Sequence, residues 1–288
     1  LTVFDAHNAV WTIVERMSHN APWFLKPIAK LEAHKIKQYE GELVRWFDHT
    51  LAVTEIDRQF LMQAASQPLT RSASAFALRP QTHLNIHVIP IAVDTERIRP
   101  VMRIKGSKNI LTLGTLHYPP NADGIRWFLK EVFSLIRRHN PEVTLTIVGK
   151  NPPRDFLQFA ADPHIRVAGY VPNLEEVIRQ AAIMVIPVRA GGGIRVRILE
   201  AFAYGIPVVT TSIGVEGIRA QNNIHLLVED SEAGFARAAN RLLQDEELQA
   251  RLTASGRALV EEMYDWKVVL QKMESVYPAP NRQDRRGL

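Results

Sequence analysis

Cysteine is absent from the 288 residues, which excludes disulfides and thiolate-bound zinc or iron–sulfur centres. Long apolar runs are missing too. The best candidate, 181–188 (AAIMVIPV), is far short of the roughly 20 residues a membrane-spanning helix needs. No Asp-x-Asp pair occurs, and neither the dinucleotide fingerprint G-x-G-x-x-G nor the P-loop is present. Nor is there a large excess of one charge: 35 basic against 30 acidic side chains leave +5, partly in Arg282, Arg285 and Arg286. With no dense basic stripe and no recognition-helix or RNA-binding signature, nucleic acid is not the expected partner. The mild surplus suits an anionic ligand or peripheral contact with a membrane surface. A signal-peptide pattern is lacking, and the chain opens on Leu1 rather than Met, so we expect a piece cut at its amino end. What is present is ordinary globular material, 46% apolar and 23% charged, enough for two α/β domains or one large one.

Residues 109–230 alternate between short apolar runs and amphipathic stretches. Strands are expected at 109–114, 143–149, 164–169, 183–187, 207–211 and 224–229, the first three ending in glycine. Helices are expected at 123–138, 153–161, 174–182 and 194–204, then at 231–243 and 246–263. Strands that are apolar throughout are covered on both faces, so the pattern predicts a parallel, doubly wound sheet with ligands beyond the strands' carboxyl ends. Residues 1–100 read as strands at 1–5, 51–54 and 86–89 with helices at 9–17, 27–47 and 57–65, too few strands to close such a sheet. A linker is expected at 92–101.

The most informative stretch runs RAGGGIRVRILEAFAYGIPVV from Arg189 to Val209. Gly191, Gly192 and Gly193 join a buried strand to a helix and let backbone N–H groups turn toward a ligand. Arg195 and Arg197 open that helix, where a cation opposes the dipole by about 0.3–1 kcal/mol. A diphosphate between them and the helix terminus would resolve the conflict, since the guanidinium fork suits phosphate. Glu200 is one turn inward, placed to accept ribose hydroxyls. The alternative is a tight glycine loop with Arg197 and Glu200 as a surface pair, and local physics leaves both open.

The run GGGIRVRILEAFAYGIPVVTTSIGVEGI resembles the donor-site signature of family 4 glycosyltransferases. Further segments agree in order: Asp5-Ala-His7-Asn8, Val53-Thr-Glu-Ile-Asp57, Val88-Ile-Pro-Ile-Ala-Val-Asp94, Leu113-Gly114, Ile147-Val-Gly149, Gly169-Tyr-Val-Pro-Asn173 and Tyr264-Asp-Trp266. The resemblance implies a GT-B-like α/β fold: a complete doubly wound donor domain at 101–263, an incomplete amino-terminal Rossmann-like acceptor-side domain at 1–100, and a crossing helix and tail at 264–288. It implies a retaining, metal-independent hexosyltransferase of polysaccharide biosynthesis, with no cofactor, at the cytoplasmic side or the inner membrane face. The substrates would be a nucleotide-diphosphate sugar and a saccharide or lipid-linked acceptor.

The resemblance further implies that His7 faces the donor phosphates or acceptor hydroxyl, and that Gly114 meets the diphosphate. Gly169, Tyr170 and Val171 would hold the base, and Glu200 would be the second glutamate of the family's pair. The first falls at Gly192, a departure at the residue that usually contacts the donor sugar. The basic residues expected after Gly114 are replaced by Thr115-Leu-His-Tyr-Pro-Pro-Asn121. A nucleotide-sugar-binding pseudoenzyme and a GT-B epimerase are the rival readings. Lys150 reads as a solvated lysine and Glu216 as a lesser site candidate. His83 and His87 are four apart but flank a strand and do not read as metal ligands; Trp11, Trp23, Phe24 and Trp46 read as core, and any exposed in an incomplete domain would mark where missing structure packs.

Overall fold

A computed structural model describes residues 1–19, 22–68 and 83–277; the tail arginines lie outside them. The chain divides into two compact units: Leu1–Ala92 with the segment from Met263, and Val93–Glu262.

In the first unit β1 (Val3–Ala6), α1 (Val10–His19), α2 (Lys26–Trp46), β2 (His49–Ala52), α3 (Glu55–Ala65) and β3 (Ile86–Val88) follow in order. The strands pair in parallel as β1-β2-β3, with Val3 opposite His49 and Thr50 opposite Ile86. Trp11, Val44 and Leu61 pack over the sheet, whereas Trp23 and Phe24, expected in the core, are exposed. Thr54, expected in a strand, caps α3 instead, its hydroxyl accepting the Asp57 N–H at 2.9 Å. The open N–H groups of α1 are met by two buried carboxylates from other helices. Asp57 accepts from Ala9 at 3.1 Å, and Glu40 accepts from Val10 and Trp11 at 2.8 and 3.1 Å. Burial raises the Glu40 pKa and these N–H bonds pull it back.

His87 pairs not with His83 but with His49, at 2.9 Å between ring nitrogens. Burial first, and His49 second, hold the His87 pKa below its ordinary value of 6.5. The unfolded chain therefore takes up the proton first as pH falls. This contribution to stability is complete above about pH 6.5 and lost below it. The thermal unfolding midpoint is expected to drop between about pH 7 and 5, and His87→Asn to flatten that slope in a calorimetric series. A slope unchanged by the substitution would count against the pair as its cause.

The second unit contains β4 (Asn109–Leu113), α4 (Pro119–Trp127), α5 (Phe133–His139), β5 (Thr144–Val148), α6 (Arg154–Phe159), β6 (Ile165–Gly169) and α7 (Leu174–Gln180). It continues with β7 (Ala181–Ile186), α8 (Val196–Tyr204), β8 (Val208–Thr210), α9 (Ser212–Val215), β9 (Leu227–Val228), α10 (Glu232–Gln244) and α11 (Glu246–Met263). Past it, α12 (Trp266–Met273) groups with the first unit, its start capped by Asp265. All six strands expected in this unit are present and parallel, in the order β6-β5-β4-β7-β8-β9. The order reverses between β4 and β7, the switch point where a doubly wound sheet opens a crevice.

Two local features differ from the periodicity. The helix expected at 123–138 starts earlier, because Pro119 and Pro120 preset helical φ in its first turn. It also carries a π turn over Phe128–Val132, which joins α4 to α5. There Trp127 and Phe128 both meet Phe235 of α10 edge to face, at 5.6 and 5.8 Å, while the helix also covers the sheet. Burial on two sides re-phases the turn. The second feature is the expected linker. Val93 and Thr95 are buried, and Arg257 of α11 donates to the carbonyls of Thr95 at 2.9 Å and Ile98 at 2.8 Å, so these residues belong to the second unit.

Candidate functional site

At the switch point a cavity of about 150 Å³ opens beyond the carboxyl ends of β4 and β7, lined among others by Leu113, Asn121, Val188, Ile194, Arg195 and Arg197. Its position follows from the strand order, because helices on opposite faces diverge there.

The glycine loop, expected to meet the ligand, does not itself line this cavity; it lies between Val188 and Ile194, which do. Gly191 and Gly193 have φ of 133° and 71°, values that L side chains rarely adopt. A Cβ on Gly191 would lie 2.7 Å from an Arg195 guanidinium nitrogen. Arg195 immediately precedes α8 rather than opening it, and its guanidinium turns back to donate to the carbonyls of Gly192 and Gly193. It thus holds the loop closed while lining the cavity. Two hydroxyls hold the chain that leads into this loop: Thr210 donates to the Ile186 carbonyl at the end of β7, at 2.7 Å, and Thr211 to that of Val188. Thr211 also caps α9 by accepting the Gly214 N–H at 2.9 Å.

The first turn of α8 has neither an acidic residue nor a side-chain cap, and while the Ile198 N–H donates to the Arg195 carbonyl at 2.8 Å, those of Val196 and Arg197 are left for an anion at the cavity end of the helix. Arg197 sits in that turn. Its guanidinium is 4.0 Å from Glu200, and both side chains are about one-third exposed, at 38% and 32%. A pair at that distance and exposure is worth at most about 1 kcal/mol, too little to explain a cation at the positive end of a helix. Burial raises the Glu200 pKa, with Arg197 pulling the other way. Glu200 does not line the cavity itself but lies one turn further along α8. Tyr204, a turn beyond, has its pKa raised by burial first and then by Glu200.

Along the carboxyl edge the strand ends are knitted together. Gly114 donates to Val148 at 3.0 Å and Gly149 to Gly169 at 2.8 Å. The tight approach is at Gly149 rather than Gly114: a Cβ on Gly149 would lie 2.0 Å from the Gly114 carbonyl oxygen, whereas one on Gly114 meets nothing nearer than 3.6 Å. Gly124 in α4 is the second close approach, its missing Cβ 2.0 Å from the Pro187 carbonyl oxygen. Sequence reasoning passed over Gly124, Thr210 and Thr211. A glycine inside an amphipathic helix was the available signal for the first. Tyr170 and Val171 follow β6, Tyr170 largely exposed, with Lys150 4.5 Å above its ring rather than simply solvated. Glu216 is half-buried just past α9. His7 follows β1 in the first unit, exposed and 3.6 Å from Asp5. Among the described residues no group of three or more His, Asp or Glu is placed to hold a metal ion.

Among known proteins, residues 107–245 match the model of the glycosyl transferases group 1. This segment resembles that family. The matched segment carries β4 to β9 and the whole cavity described above. An uncharacterized 44.6 kDa protein in the cps region of Klebsiella pneumoniae is 25% identical over 173 residues, 57% of this chain and 45% of that protein. Glycogen synthase of Mycobacterium tuberculosis is 29% identical over 192 residues, 63% of this chain and 45% of that enzyme. The chain spans less than half the length of these relatives. The crystal structure of Anabaena HepE in complex with UDP and glucose superposes with a TM-score of 0.66 at 12% identity, over 96% of this chain and 71% of that one. The fold is GT-B-like, and every sheet in it is parallel. Among the described residues no helix is long and apolar enough to cross a membrane.

Proposed function

We propose that the group 1 segment is the donor-binding part of a retaining glycosyltransferase that moves a hexose from a nucleotide-diphosphate sugar to a saccharide or lipid-linked acceptor. One observation carries this reading: an uncapped α8 terminus with Arg197 in its first turn opens onto a cavity at the sheet's switch point. N–H groups and guanidinium together supply fixed positive charge where a diphosphate leaves, usually the largest catalytic contribution. Arg195 acts mainly as a positioning residue in this scheme, since its guanidinium is engaged with the glycine loop. Glu200 accepts the ribose hydroxyls, Gly169 to Val171 border the base, and His7 serves the acceptor side. No step in this scheme calls for a metal ion.

The UDP bound by HepE makes UDP the first nucleotide to try. UDP is expected to raise the unfolding temperature of this chain, by mass action. Glu200→Ala is expected to weaken UDP binding about 10- to 100-fold in titration calorimetry, as for loss of a charged hydrogen-bond acceptor. Equal affinities would remove Glu200 from the site. A second reading is a binding module that keeps the nucleotide without transferring the sugar. It is favoured by Gly192, which offers only its backbone where the family pattern has a carboxylate. UDP binding without turnover of any UDP-sugar would select it.

A further inference from the structure

We propose that the start of α2, with the residues just before it, is a membrane-docking surface for a bilayer carrying anionic headgroups. Every residue from Pro22 to Glu32 except Ala29 is exposed, yet the stretch includes Trp23, Phe24, Leu25, Ile28 and Leu31. Trp23 is 83% exposed and Phe24 59%, and their rings meet edge to face at 6.1 Å. Five large apolar side chains contiguous in solvent form a patch, unlike single scattered ones.

The geometry of α2 explains why its own unit leaves this patch bare. The helix has 21 residues, about 31 Å at 1.5 Å per residue, whereas β1 and β2 have four residues each, about 13 Å of strand. Buried positions in α2 begin only at Ala33 and continue at Glu40, Gly41 and Val44. The first two turns therefore overhang the sheet. They do so on the side of the strands' carboxyl ends, because α2 ends at Trp46, just before β2 begins at His49, and so runs back toward the amino ends. At 100° per residue, Phe24, Ile28 and Leu31 form one stripe, roughly opposite the buried positions. The unit's core lies on the other side of the helix from that stripe.

Charge selects the occupant. From Pro22 to Lys37 there are four lysines, Lys26, Lys30, Lys35 and Lys37, against one acid, Glu32. Lys35 pairs with Glu32 at 2.8 Å and Lys37 sits 3.9 Å over the Trp11 ring, leaving Lys26 and Lys30 as the charge next to the aromatic pair. No acid lies in the first turn of α2. All of this charge is within a helix diameter of the stripe, about 10 Å, which is also about one Debye length at 0.1 M salt. Phe, Ile and Leu on one face, lysines on the other and a Trp just before the helix is the composition of a helix that lies in a bilayer interface.

The test is co-sedimentation of the chain with vesicles of phosphatidylglycerol and phosphatidylcholine, beside vesicles of phosphatidylcholine alone. Binding is expected to the anionic vesicles and to weaken with salt. Trp23→Ser combined with Ile28→Ser is expected to lower the partition coefficient at least about tenfold. Its unfolding temperature should stay that of the parent, since both side chains are exposed. Lys26→Gln and Lys30→Gln should each cost about fivefold on anionic vesicles only. A blue shift of tryptophan emission on binding should vanish in Trp23→Phe. No binding to anionic vesicles, or binding untouched by the Trp23→Ser and Ile28→Ser pair, overturns the proposal. So does a concentration-dependent dimer abolished by that pair, which would make a second copy the occupant. None of these readouts requires a nucleotide, so the result stands apart from the donor site.

Discussion

Arg197→Ala is expected to lower donor turnover by about two to three orders of magnitude, the usual loss when one preorganised donor to a developing anion is removed. The substituted side chain holds little of the structure together. Its contact with Glu200 is long, at 4.0 Å, and over a third of its surface is in solvent. It also stands in the first turn of α8, where the helix dipole disfavours a cation. Loss of the weak pair and relief of the dipole conflict nearly cancel, so the unfolding free energy should move by no more than about 0.5 kcal/mol. A steep fall in turnover with unchanged stability is therefore the signature of a residue that acts on the ligand. Arg197→Lys should recover only part of the loss, because an ammonium lacks the planar fork that meets two phosphate oxygens. Release of UDP from a UDP-sugar, followed for parent and variants, measures it. Turnover of Arg197→Ala within a factor of two or so of the parent would remove the guanidinium from the transition state.

Gly124→Ala is expected to destabilise the second unit by about 3 kcal/mol or more, at the upper end of overpacking effects. The new Cβ would lie 2.0 Å from the Pro187 carbonyl oxygen and 2.9 Å from its carbon. Both neighbours are backbone at the end of the central strand β7, so no rotamer change relieves the clash. Relief requires α4 to move off the sheet, which opens the helix that also lines the cavity through Asn121. The melting temperature should fall by roughly 10 °C for a unit of this size, and UDP affinity with it. Gly114→Ala is the control. Its Cβ would find only ordinary contacts, 3.6 Å or more away, so stability should be nearly unchanged. Equal melting temperatures for Gly124→Ala and the parent would refute the close packing of α4 on β7.

Much of this architecture was legible because parallel α/β structure writes itself locally. A strand such as 183–187 is apolar throughout since both faces are covered, and the glycine run marks the turn after it. Boundaries were less legible where distant groups decide them. Thr54 ends its strand because Asp57 lies three residues on, a local fact. From Val93 on, the linker expected at 92–101 belongs to the second unit, where Arg257, some 160 residues away, binds the Thr95 and Ile98 carbonyls. The π turn in the long helix depends on Phe235 of α10. Neither partner is marked in the segment it controls.

The same division applies to the site. Composition and spacing by themselves determined the parallel sheet and singled out the loop of Gly191 to Gly193, with Arg195, Arg197 and Glu200, as the candidate site. These are properties of residue type and of neighbours within a turn. Tertiary structure decided which arginine points where: Arg195 folds back on the loop carbonyls, while Arg197 remains at the helix mouth. It also decided that Gly124 and Gly149 have no room for a side chain whereas Gly114 does, and that Trp23 and Phe24 lie outside the core. The physical reason is that helical periodicity and backbone dihedrals are set by adjacent residues. Close approach and burial depend on which remote backbone or side chain occupies the facing position, and the chain fixes that only on folding.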